Sequence, residues 1–184
     1  MEFGSNLPGS GGFLSPQSII KELDIIKEGM VVADLGCGHG YFTLPIAKMV
    51  KDRGKVFAID VSPEALEVIN LKSKVDEKEN IEIKRCNLEK EKNCDVEKSS
   101  CDIVFIINLL FQTEKDEIII KEAKRFLKEG GIVVFIEWRP DVSLGPQGKR
   151  IKKEEALEMF KKEGLKYEKE FSTDNYHYGL IFKK

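Results

Sequence analysis

The chain has 184 residues, room for one domain with a sizeable core but not for two of ordinary size. Hydrophobic residues make up 41% and charged residues 34%, the balance of a globular protein, and a net charge of -2 excludes a general pull toward nucleic acid or anionic membrane. No apolar run approaches the ~20 residues of a membrane span.

The opening "MEFGSNLPGSGG" lacks the basic-then-apolar order of a secretory signal. Its Gly and Ser content predicts a flexible segment over 1–12, with the folded domain over 13–184. The four cysteines, Cys37, Cys86, Cys94 and Cys101, form no CxxC pair. With no export signal, they are expected to be reduced thiols in a cytoplasmic protein.

In chain order, Ser15-Pro16 reads as an N-cap followed by a first-turn proline. Ile19, Ile20, Leu23 and Ile26 then recur at helical spacing, and Gly29 is the expected stop. "MVVADL" (30–35) is a near-continuous apolar run, as in a strand buried on both faces. The stretch "DLGCGHG" (34–40) overlaps its end, and a helix over 41–50 follows, with Pro45 tolerable near the first turn. "KVFAID" (55–60) is a second buried strand, and Ser62-Pro63 opens a second capped helix. Strands are predicted over 81–86 and 101–108. Thr113 is the expected cap of a helix that runs through Leu127 to Gly130-Gly131. A fifth strand (132–138), an irregular stretch (139–150), a helix near 152–163 and two last strands near 165–172 and 176–182 complete the chain.

Alternating strands and helices with apolar strands predict a doubly wound α/β sheet. In such sheets ligands bind beyond the carboxyl ends of the strands, which is where the glycine loop falls. Gly36 and Gly38 fit the first two positions of a dinucleotide G-x-G-x-x-G, but Tyr41 stands at the third. No Gly-Lys-Ser/Thr follows, so the loop is not a P-loop. Asp34, two residues before Gly36, would also repel a pyrophosphate. It suits a ligand with positive groups and no phosphate, and S-adenosylmethionine, with its ammonium and sulfonium, is such a ligand.

The acid followed by G-x-G-x-G resembles motif I of the class I S-adenosylmethionine-dependent methyltransferases, and the resemblance extends over about 13–184. It implies a Rossmann-like, mostly parallel seven-stranded sheet in the order 3-2-1-4-5-7-6 and a methyl-transferring enzyme with S-adenosyl-L-methionine as cofactor. It also implies a cofactor-binding set of Asp34, Gly36, Gly38, Gly40, Asp60, Asn87 and Asn108. Asp60, at the end of the second strand, would take both ribose hydroxyls. Asn87, where many members carry Asp, would read the adenine edge. Asn108 would line the methionine moiety. "GPQGKRI" is similar to a G-P-P-x-x-x-R-I stretch in the small ubiquinone/menaquinone-biosynthesis-like members, with Gln147 for the second proline.

The expected acceptor is a small molecule. "NLLF" (108–111) replaces the N-P-P-Y-type tetrad of many base-N methyltransferases, and neither a nucleic acid nor a membrane partner is expected. The attacked atom (C, N, O, S or As) and the oligomeric state stay open. No catalytic residue is assigned; Glu137 and His177 are candidate bases. No metal is expected, since Cys37 and His39 lack further ligands at zinc spacing and read as loop bystanders. Cys86, Cys94 and Cys101 read as small buried thiols, with an arsenite-binding trio as the alternative. Asp102 reads as structural, Trp138 as either a ring platform or core, and Arg150 as either a partner for an anionic substrate or a structural group. Two rival functions are a non-catalytic cofactor-binding scaffold and a nicotinamide oxidoreductase, the latter opposed by Tyr41.

Overall fold

The computed structural model describes residues 14–76 and 78–184; the flexible segment expected over 1–12 lies outside them. The elements in chain order are α1 (Pro16–Leu23), β1 (Val31–Leu35), α2 (Thr43–Val50), β2 (Lys55–Asp60), α3 (Pro63–Val75), β3 (Ile81–Arg85) and β4 (Cys101–Ile107). They continue with α4 (Asp116–Phe126), β5 (Leu127–Trp138), α5 (Lys153–Lys162), β6 (Lys166–Phe171) and β7 (His177–Lys183). The sheet has seven strands in the order β3-β2-β1-β4-β5-β7-β6, as the motif resemblance implies. The first five pair in parallel, and β7 runs antiparallel to both β5 and β6.

Successive residues of a strand face opposite sides of the sheet. Val32, Val56, Phe105 and Val134 meet Ile20 and Leu23 of α1 and Ile46 and Val50 of α2. On the other side Ala33, Ile59, Val104 and Phe135 meet Ile119 and Phe126 of α4 and Phe160 of α5. Phe160 stacks flat on Phe182, with ring centroids 4.1 Å apart. At the amino edge of the sheet, Asp102 accepts from Val31 N at 2.8 Å and pairs with Lys128, the structural role read from sequence.

Three helix ends differ from expectation. α1 stops at Leu23, where Asp24 turns left-handed (φ 45°) and its N–H reaches Ile20 O; Gly29 belongs to the turn before β1. The fourth helix starts at Asp116, because the Thr113 hydroxyl bonds Asp116 Oδ1 instead of capping the helix from its own position. It ends at Phe126, because Ser99 N and Ser100 N bond Arg125 O and Phe126 O from outside the helix. Leu127 is thereby freed to pair with Cys101 in the sheet.

Cys86 and Cys94 form a disulfide, which overturns the expectation of four reduced thiols. Cys37 and Cys101 are free and buried. The crosslink closes the turn after β3, and that turn is also tied to α4. Arg125 donates to Cys94 O and Val96 O, and Glu122 pairs with Arg125 and accepts from Lys92 N. Closing a loop with a sequence separation of 8 is worth about 2–3 kcal/mol in the chain-entropy account. Dithiothreitol, or Cys94→Ser, should therefore lower the stability measured by urea unfolding by that amount. Equal midpoints with and without the reductant would show that the two thiols are not bonded in solution.

Candidate functional site

The parallel strands deliver their carboxyl ends to one edge, and β7, running the other way, begins there. Asp34 and Leu35, Asp60, Asn108, Trp138 and His177 therefore gather at that edge, Trp138 lying opposite His177 in the β5–β7 ladder.

The glycine loop 36–40 is held before any ligand arrives. Gly36 N and Cys37 N both donate to Ile59 O, at 2.9 and 3.0 Å, and Gly40 N donates to Cys37 O. At Gly36 the left-handed backbone (φ +69°) strains any other residue, and a Cβ, 2.6 Å from Leu109 Cδ1, would force that side chain to move. Around Gly38 (φ +51°) a Cβ would meet nothing within 4 Å, so backbone is open to a ligand there. Cys37 is buried against Ala58, Leu66 and Ile69, whereas His39 is exposed. The two side chains thus face different surroundings and form neither a pair nor a ligand set. Tyr41, which breaks the dinucleotide pattern, reaches back to Leu14 O at 2.9 Å.

Asp34 is buried at the end of β1, with Oδ2 accepting from the Thr43 hydroxyl at 2.6 Å. Burial pushes its carboxyl up to about 6; the Thr43 bond opposes this and the neighbouring Asp60 charge adds to it. Asp60 splits its oxygens, Oδ2 accepting from Gly38 N and Oδ1 from Ser62 N, both at 2.9 Å. Each oxygen keeps lone-pair capacity for a further donor. Asn87 Oδ1 accepts from Glu89 N, an Asx turn. Gly36, Asp60, Asn87, Glu89, Leu109 and Gln112 line a cleft of about 370 Å³ that contains no Lys or Arg among the described residues.

Of the seven predicted cofactor residues, Gly36, Asp60 and Asn87 line this cleft. Gly38 is tied to Asp60, and Gly40 closes the loop against Ile69. Asp34 lies beneath the loop. Asn108 stands apart, at the end of β4, with a left-handed backbone (φ 48°) and Nδ2 3.1 Å from His177 Nε2.

The candidate bases are both engaged. Glu137 is fully buried, accepting from Trp138 N at 2.9 Å and Phe111 N at 3.1 Å, so it fixes the short 3-10 turn over Leu110–Gln112. Burial raises its carboxyl to about 7. His177 has Nδ1 on Asp174, and its ring lies 4.0 Å from that of Trp138. Trp138 is core by burial, and Arg150 lies over its ring while donating to Leu144 O and Pro146 O. Those carbonyl bonds support the structural role for Arg150. The cysteine trio is not assembled: Cys86 and Cys94 are bonded together, and Cys101 lies at the amino end of β4, opposite the site. Among the described residues no cluster of His, Cys, Asp and Glu could hold a metal ion. Sequence reasoning missed Asp174 and Thr43, which carry no local motif.

The model of the family described as "Methyltransferase domain" matches residues 26–181. The chain belongs to the class I S-adenosylmethionine-dependent methyltransferases. Their methyl donor, S-adenosylmethionine, fits the acidic, phosphate-averse cleft and the open backbone at Gly38. Demethylmenaquinone methyltransferase of Lactococcus lactis is 38% identical over 109 residues, 59% of this chain and 42% of that protein. The demethylmenaquinone methyltransferase of Staphylococcus aureus is 32% identical over 119 residues, 65% of this chain and 47% of that one. The match thus spans less than half the length of these curated relatives. The crystal structure of a SAM-dependent methyltransferase from Aquifex aeolicus superposes with a TM-score of 0.82 at 24% identity, covering 93% of this chain and 90% of that one. That likeness establishes the fold.

The raised Asp34 carboxyl has a measurable consequence. Its unfolded counterpart ionises near 3.8, so between about pH 4 and 6 the folded state keeps a proton that the unfolded state loses. Stability falls with rising pH across that window and stays lower above it. Asp34→Asn removes this effect and should stabilise the ligand-free protein at pH 7.5 by about 2–3 kcal/mol. The gain should vanish near pH 4 in urea unfolding; no gain at pH 7.5 would show that the carboxylate is not penalised by burial.

Proposed function

We propose that the chain, as one domain over 13–184, transfers the methyl group of S-adenosylmethionine to a small-molecule acceptor by in-line displacement. The observation that carries this reading is the cleft at the ends of β1 and β2, with carboxylates and open loop backbone but no basic side chain. Such a lining offers a pyrophosphate no basic partner, and Tyr41 stands where a dinucleotide loop needs its third glycine, which together favour a phosphate-free cofactor over a nicotinamide dinucleotide.

The bound cofactor would supply a methyl group already activated by its positive sulfur. The chain's own work is then positioning. Asp60, with one oxygen on Gly38 N and the other on Ser62 N, is held so that both oxygens can accept ribose hydroxyls. Asn87, whose carbonyl serves the Asx turn, has its amide N–H groups for the adenine edge. Asp34 adds negative potential beneath the loop for the cationic end. Neither Glu137 nor His177 is a free base, so the acceptor is expected to supply its own nucleophile.

The acceptor is assigned to the adjoining side of the same edge. A cleft of about 410 Å³ there is lined by Arg139, Lys152, Lys153, His177 and Tyr178 among others. Its size suits a metabolite, and its mixed lining, with Asp141, Glu154 and Glu170 beside the cations, suits a polar one. The demethylmenaquinone methyltransferases among the relatives support a quinone-like acceptor. The human relative named as a tRNA N(3)-cytidine methyltransferase, 29% identical over 110 residues, makes RNA the reading to test against it. No helix among the described residues is long and apolar enough to cross a membrane.

Calorimetry with S-adenosylhomocysteine and with NAD tests the cofactor. Micromolar binding of the first and none of the second is expected; the reverse would sink the proposal. Asp60→Ala should weaken S-adenosylhomocysteine by roughly 2–4 kcal/mol through loss of two ribose bonds, and unchanged affinity would remove Asp60 from the site. Labelled methyl from S-adenosylmethionine should appear on a demethylated quinone and not on tRNA.

A further inference from the structure

We infer that His177, held by Asp174, is a positioning residue that turns the Asn108 amide so that its oxygen faces the amino-acid end of the cofactor. The inference rests on the cofactor reading above and adds to it the device that aims Asn108.

Asp174 sits in the turn before β7 and is used almost completely. Oδ1 accepts from Tyr176 N and His177 N, Oδ2 accepts from Leu14 N at 2.7 Å, and both oxygens lie within 3.0 Å of His177 Nδ1. A carboxylate with this many N–H partners stays ionised and accepts only. Nδ1 must therefore carry the imidazole proton and donate it. Burial of the ring, which is 3% exposed, disfavours a second proton. Nε2 is left as a lone pair needing a donor, and the group 3.1 Å away is the amide of Asn108. Of the two amide termini only the nitrogen can donate, so it must face His177.

That choice fixes where Asn108 Oδ1 points. This oxygen is buried and has no hydrogen-bond partner among the described residues. A buried, unpartnered carbonyl costs free energy, and here the cost is imposed by the histidine. The left-handed backbone at Asn108 (φ 48°) is a second cost at the same residue. Both are offset if an N–H donor arrives, and an ammonium is the strongest such donor a methionine-type cofactor carries. Trp138 lies against the other side of the imidazole and holds the ring in place.

S-adenosylhomocysteine and 5′-methylthioadenosine share the nucleoside and the thioether sulfur, and differ at the amino-acid end. Calorimetry of both against the full chain therefore isolates the contact. His177→Phe keeps an aromatic ring beside Trp138 and removes the acceptor. It should weaken S-adenosylhomocysteine at least tenfold and leave methylthioadenosine within twofold. His177→Gln, whose side-chain oxygen can accept from Asn108 in place of Nε2, should bind both ligands within threefold of the wild type. Asp174→Asn, which frees the choice of tautomer, should reproduce the selective loss, and it decides the matter if His177→Phe does not fold. Unchanged S-adenosylhomocysteine binding by His177→Phe, or parallel loss of both ligands, would overturn the inference. Wild-type protein that binds neither ligand would overturn the cofactor reading itself.

Discussion

A carboxylate buried in an apolar sheet is the constraint on which the site depends. Asp34 occupies a strand position whose face is otherwise given to Val32, Val56 and Ala58. One hydroxyl, from Thr43, satisfies one of its oxygens. Asp60 lies on the neighbouring strand and adds a second negative charge nearby. An apolar residue at 34 would fold more easily. Positive charge brought to this edge, as the proposed cofactor would bring it, offsets part of that cost.

The same carboxylates organise the backbone around them. Asp60 holds Gly38 N, so the loop is closed to its final shape from β2 as well as from β1. Ile59 O, the acceptor for Gly36 N and Cys37 N, belongs to the residue just before it. Binding therefore need not order the loop, and the conformational entropy that a loose glycine stretch would lose has been lost in folding. Gly36 and Gly40 serve close packing against Leu109 and Ile69, whereas Gly38 alone leaves room above it. Three glycines in one motif thus answer two different requirements.

What could be read from the sequence follows how local each signal is. The sheet class rests on runs of apolar residues and the glycine loop on a seven-residue motif, both legible in the sequence, whereas the strand order came only with the family resemblance that the motif carries. Helix ends were less so: α4 stops because Ser99 and Ser100, more than twenty residues earlier, take its last carbonyls. The Cys86–Cys94 bond was missed because a spacing of eight carries no signature in a chain read as cytoplasmic. Asn108 and His177 are 69 residues apart. Nothing in "NLLF" or "NYHYGLIF" tells that one aims the other, since the contact exists only because β4, β5 and β7 are neighbours.

That asymmetry divides the site physically. The proposed cofactor half is built mainly from β1, its glycine loop and β2, over 31–60, with Asn87 added from the turn after β3. The proposed acceptor half is assembled from β5, the 139–150 stretch and the antiparallel hairpin, and its parts hold each other. Gly145 lets the chain lie on the Trp138 ring, where a Cβ would come within 2.7 Å. Trp138 packs on His177, and His177 bonds Asn108. Glu137, one residue before Trp138, fixes Phe111 N in the turn that follows Asn108. The 139–150 stretch and Asn108 are thus joined by two short paths through packed or hydrogen-bonded groups. A substitution in that stretch that displaces Trp138 is expected to reach Asn108 through His177, which on the proposed reading couples acceptor choice to cofactor grip.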